Sequence, residues 1–206
     1  MIDPSSFTPD ELRWIADREF CRVKAGVTKK VRGLLERLHA GLREDLAGQD
    51  LLCPISFDPA RFQFVKGEHL EDYPYQYLDF PKHFEGDEKF TFRSLFWWGH
   101  HFAFALLLES DRILLFKQHL INRYHMIAGR NLCLALSPSL WEWNVGEGYT
   151  LPLTHDRKSE VSAVLSGRRA FKLLRYLSHD DPLVIEGQVV ETAREAFRAM
   201  LPVITR

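Results

Sequence analysis

Between Phe90 and Glu109 the chain reads FTFRSLFWWGHHFAFALLLE, and its apolar residues alternate on either side of a short break. Before the break Phe90, Phe92, Phe96 and Trp98 share one parity, and Thr91, Arg93, Leu95 and Trp97 the other. After it Phe102, Phe104, Leu106 and Leu108 oppose Ala103, Ala105 and Leu107. A period of two is what a strand presents, and apolar residues of both parities predict strands covered on both faces. Aromatic enrichment and the central Gly99 favour strands over a helix. The spacing predicts a hairpin turning at Gly99, with one long strand bent by a bulge there as the alternative.

The N-terminal pattern is helical. Thr8, Pro9 and Glu11 make a capping box with proline at the first helical position, and Leu12, Ile15 and Phe20 follow at helical spacing. From Val27 the stripe resumes as Val31, Leu34, Leu35, Leu38 and Leu42 and runs to Gly48. Whether residues 8–47 form one helix or two, with Gly26 as a break, is left open by the pattern. Arg61–Lys66 alternates as a short strand. Pro74 to Pro81 reads as a strand stopped at each end by proline, which cannot donate to a sheet ladder. Gly86-Asp87 turns the chain back into the central stretch.

Ser110-Asp111 opens a helix that stops at Gly129, and 131–136 reads as a strand. Leu140–Val145 and Tyr149–Leu153 flank Gly146-Glu147-Gly148 as a hairpin with a three-residue loop. A short helix over 156–166, a strand over 171–177 and a last helix over 188–203 complete the chain. This order predicts a single α+β domain over residues 1–206, with a curved, mostly antiparallel sheet and flanking N-terminal and C-terminal helices. Its segments are a helical 8–47, strands in 54–109, a helix over 111–128, mostly strands in 130–178, and the helix 188–203.

Composition narrows the class. With 46% hydrophobic and 27% charged residues and a formal net charge of −1, the chain is globular and has no global field to recruit nucleic acid or an acidic membrane. Three widely spaced cysteines, Cys21, Cys53 and Cys133, fit reduced thiols better than a disulfide framework. The start, MIDPSSFTPDE, has neither the basic residues nor the apolar run of a signal peptide. The expectation is a cytoplasmic protein without a membrane span.

Candidate chemistry gathers at the centre. Trp97, Trp98, Trp141 and Trp143 are dense enough to wall an aromatic slot for a planar ligand or a cation. Arg93, inside an apolar strand, requires a carboxylate, Asp79 or Glu68, or else a bound anion. The leading expectation is a non-catalytic small-ligand-binding or interaction protein built on Arg93, Trp97, Trp98, His100, His101, Trp141 and Trp143, its ligand or protein partner unidentified. A metal-dependent hydrolase or oxygenase using His83, His100, His101 and Asp79 is the alternative. A third is nucleic-acid binding through Lys29, Lys30 and Arg37 with Arg168 and Arg169. Glu36, Glu44 and Asp45 dilute that basic face and no aromatic residue interleaves with it, so a solvated helix face is favoured. No glycine-rich phosphate loop and no Gly-x-Ser-x-Gly elbow occurs.

The segment LFWWGHHFAFALLLES resembles the central hairpin of the YktB-like family of uncharacterised bacterial proteins, and the layout, with a closing helix of the type ETAREAFRAMLPV, is similar. GEHLEDYPYQYLDFP followed by FRSLFWWG also resembles a set of uncharacterised bacterial sequences. Residues 54–81 depart from the YktB-like layout. The resemblance implies an α+β fold with a curved antiparallel sheet, and no activity.

Overall fold

Thr8 caps the first helix, α1 (Pro9–Ala16): its hydroxyl accepts from the Glu11 N–H at 3.3 Å while the Glu11 carboxylate accepts the Thr8 N–H at 2.7 Å. The computed structural model describes residues 5–54 and 56–206; residues 1–4, the first part of the start that lacks signal-peptide character, lie outside them. The helical segment is two helices, and the break falls at Asp17. That residue ends α1 and caps α2 (Arg18–Leu46) by accepting from the Phe20 N–H at 2.8 Å. Gly26 lies inside α2. A capping carboxylate offers the backbone a new start, whereas a glycine only weakens a helix it sits in.

Strands β1 (Gln63–Leu70), β2 (Tyr73–Glu85), β3 (Glu88–Trp97) and β4 (His101–Glu109) follow as an antiparallel meander. The β3–β4 hairpin turns at Gly99 as expected. Its φ of 72° suits glycine, and a Cβ there would lie 3.1 Å from the Tyr73 ring. The prolines of β2 do not stop it. Pro74 falls in the irregularity between Gly67 and Leu70 of the β1–β2 register, and Pro81 in the slip between Asp79 and Lys82 of β2–β3. No ladder N–H is demanded of either, and the Pro74 carbonyl still accepts from the Trp98 N–H at 3.0 Å, so the strand runs through both.

The predicted helix over 111–128 is two: α3 (Ile113–Asn122) and α4 (Tyr124–Ile127), parted at Arg123. That guanidinium donates to the carbonyls of Pro202 and Thr205, each at 2.9 Å. Strand β5 (Cys133–Ala135) pairs with β6 (Thr150–Pro152), a 3₁₀ turn (His155–Arg157) leads into α5 (Lys158–Leu165), and β7 (Ala170–Ser178) follows. Beyond it lie α6 (Pro182–Ile185) and α7 (Val189–Ile204). The expected 140–145 strand does not form: residues 136–149 are a loop laid over the sheet. Carbonyls of the loop and of the end of β5 are taken by two cations, the half-buried Arg168 and the buried Lys172, instead of a ladder. Arg168 donates to Ala135, Leu136 and Ser137, and Lys172 to Leu140 and Glu142.

The fold is a single α+β domain, its open seven-stranded sheet ordered β1-β2-β3-β4-β7-β5-β6 and antiparallel at each pairing. One face, carrying Leu78, Phe92, Phe104, Leu106 and Leu173, packs on α2 and α7. Phe92 meets Phe197 of α7 edge to face at 5.0 Å between centroids, and each such fully buried side chain contributes ~1.5–3 kcal/mol. The helices themselves cross closely at Gly41, where a Cβ would lie 2.7 Å from Arg194. Through that gap Arg194 reaches Asp45 with two hydrogen bonds, 2.8 and 2.9 Å. The opposite face carries Leu95, Trp97, Ala103, Ala105, Leu107 and Leu174 beneath the 136–149 loop. Both faces of β3 and β4 are therefore covered, which is why those strands are apolar at both parities.

Candidate functional site

The loop-covered face assembles most of the residues expected to form a site. Arg93 and Asp79 are register partners across β2 and β3. Arg93 donates from Nε and Nη2 to the two Asp79 oxygens at 2.7 and 2.8 Å, with the carboxylate fully buried. The guanidinium lies 3.7 Å from the Tyr77 ring centroid, with Trp141 at 5.3 Å and Trp143 at 5.7 Å. Lys172 lies 4.1 Å over the Trp143 ring. Burial pushes its ammonium down to about 8, with the Glu142 carboxylate opposing and Arg93 adding to the shift. The aromatic slot exists, and the chain's own two cations fill it. Stacking on a cation is what such rings do best when both are removed from water.

The remaining residues expected to line the pocket are divided between the two faces of the sheet. Trp97 is fully buried and donates its indole N–H to the Leu70 carbonyl at 3.0 Å. Trp143, Arg93 and His101 are buried as well, and Trp141, 48% exposed, forms the outer lid. Trp98 goes to the other face and packs on Phe96 at 5.6 Å. His100 stacks on Trp97 at 3.5 Å with rings 6° from parallel. His101 sits edge-on to Trp97, and burial, with the charges of His100 and His179, drives its pKa down to about 4. It is therefore a neutral imidazole at physiological pH.

The metal set is not brought together. Asp79 has both oxygens on Arg93. His83 is the register partner of Phe90, on the helix-covered face, 3.5 Å from Glu88. His100 and His101 have ring centroids 6.3 Å apart and near-perpendicular planes. Among the described residues no three His, Cys, Asp or Glu side chains gather as metal ligands. The register slip at Pro81 is the reason, because it sends His83 to the face opposite Asp79. The basic residues are dispersed too: Lys29, Lys30 and Arg37 are exposed along α2, while Arg168 is spent on three backbone carbonyls.

A surface absent from the sequence expectations is the most conspicuous one. Phe7, Leu12, Trp14, Ile15, Phe20 and Val23 are each between 45% and 65% exposed, and α1 buries none of its residues. Trp14 and Phe20 meet edge to face across the Asp17 break at 5.9 Å. Isolated exposed apolar residues are ordinary, but six within seventeen positions form a patch that soluble monomers rarely show. Beside this arm a groove of about 670 Å³ opens between α2 and the β1–β2 edge. Its floor is Cys21, Ala25, Thr28 and the alkyl stems of Lys24, Lys29, Arg32 and Lys66. Gln76 spans its base, donating to the Thr28 carbonyl at 3.2 Å, and Lys24 meets Glu68 at 2.9 Å on the rim. The signal in the sequence was Phe7 just before a two-turn helix and Trp14 within it, a helix too short to bury both.

No helix among the described residues is long and apolar enough to cross a membrane. No protein-family model matches the chain, and no curated protein matches it at a significant level.

Proposed function

We propose that this chain is a non-catalytic interaction protein that self-associates by exchanging N-terminal arms, α1 of one copy lying in the α2–sheet groove of another. The observation that carries this reading is the arm itself: a capped, well-formed helix with no buried residue and a row of exposed Leu, Trp and Ile. Charge favours the fit. Residues 7–17 hold Asp10, Glu11 and Asp17 against Arg13, whereas the groove holds Lys24, Lys29, Arg32 and Lys66 against Glu68. Opposed fields steer encounter and set register, and apolar contact supplies the affinity. Reciprocal exchange closes the assembly as a two-fold dimer. A cytosolic setting belongs to the same reading, supported by the three cysteines, which stand as free thiols.

Light scattering across a concentration series tests it. The chain should pass from monomer to dimer, Trp14→Asp should hold it monomeric, and the Cys21 thiol in the groove should be alkylated more slowly in the dimer. A wild-type chain that stays monomeric at every concentration would refute the reading.

A further inference from the structure

The notch where β5 stops short of β7 presents a second kind of site. Strand β7 pairs with β4 from Ala170 to Ser178, but β5 covers its other edge only at Leu173 and Leu174. Gly129, with φ 74°, and Asn131, with φ 56°, bend the chain away before it can cover Arg175 to Leu177. Two adjoining cavities, about 650 and about 400 Å³, occupy the gap and share Gly129, Asn131 and Arg175 in their walls. Those volumes suit a small metabolite.

We propose that this notch binds a small organic oxyanion, a carboxylate or a phosphate ester, through Arg130 and Arg175. Arg130, Arg175 and Arg198 all line the larger cavity, with Glu195 as its carboxylate. Arg198 is engaged by Glu191 and Asp45. Arg175 is buried and held by Glu195 at 3.0 Å through one Nη, which fixes the guanidinium and leaves its other donors for a ligand. Arg130 is exposed, and among the described residues its guanidinium has no ion pair. The Asn131 amide adds a neutral donor, and Met126, Ala199 and Pro202 offer an apolar wall for the ligand's body. Forked guanidinium donors match planar or tetrahedral oxyanions two oxygens at a time. Asp181 lies in the smaller cavity and turns an anion toward the arginine end.

Amide NMR on the full chain tests this, titrating inorganic phosphate or citrate against chloride at matched ionic strength. Saturable shifts confined to Gly129, Asn131 and Arg175 are expected for at least one probe. In Arg130→Gln, an exposed change that leaves the fold intact, affinity should fall about tenfold, as for loss of one charge-assisted contact. The preferred probe identifies the oxyanion. Shifts matching those of chloride, failure of both probes to saturate, or unchanged binding in Arg130→Gln would overturn the site.

Discussion

Arg93 and Asp79 stand opposite one another on β3 and β2 and share two hydrogen bonds in the interior, 2.7 and 2.8 Å long. The pair pins the register just before β2 slips at Pro81, and it fills the space under Trp141 and Trp143 that a ligand would otherwise need. Asp79→Ala leaves a buried guanidinium without its carboxylate and should cost about 3–5 kcal/mol in urea unfolding. Replacing both together, Asp79→Leu with Arg93→Met, should cost far less than Asp79→Ala. A double variant as damaged as the single one would mean that the pair is not the source of the loss.

Lys172 gives the protein an alkaline signature. Its pKa falls from 10.5 when unfolded to about 8 when folded, so between these values the unfolded chain holds a proton that the native chain has released. Stability then rises with pH across that window, by up to ~3 kcal/mol, and is lost again as pH falls through about 8. Subtracting the same curve for Lys172→Met isolates the effect, and a difference flat in pH would count against it.

At the acid end His101 acts in the same sense. Its folded pKa of about 4 lies below the usual 6.5, so the stability it contributes is complete above pH 6.5 and is lost as pH falls through about 4. The size is again ~3 kcal/mol at most. Tryptophan fluorescence of acid unfolding should show a shallower acid limb in His101→Phe than in the wild-type chain.

The arm and the core should respond oppositely to substitution. Leu12 and Ile15 are exposed and Leu42 is fully buried beneath α7. In the dilute monomer Leu12→Asp should change stability by less than about 0.5 kcal/mol, while Leu42→Ala should cost ~2–5 kcal/mol. Thermal unfolding at low concentration reads both. An arm substitution that melts the monomer would show α1 to be part of the core.

What the sequence by itself determined was local: the β3–β4 hairpin at Gly99, the stripe from Val31 to Leu42 and the apolar face of α7. Each is written in the periodicity of contiguous residues, and Gly99 alone among the central residues suits a positive φ. The need of Arg93 for a carboxylate or a bound anion was legible too, since a guanidinium in an apolar strand is untenable without a counter-charge. Tertiary structure decided what depends on distant partners. Pro74 and Pro81 stay inside β2 because neighbouring strands slip past them. Trp141 and Trp143 leave the predicted strand because Lys172, thirty residues on in sequence, takes the carbonyls of Leu140 and Glu142. The same long-range packing filled the aromatic slot with the chain's own cations, sent His83 and Asp79 to opposite faces, and left α1 with no core to bury it. Periodicity records which side of an element is apolar; only the assembled fold settles what, if anything, that side meets.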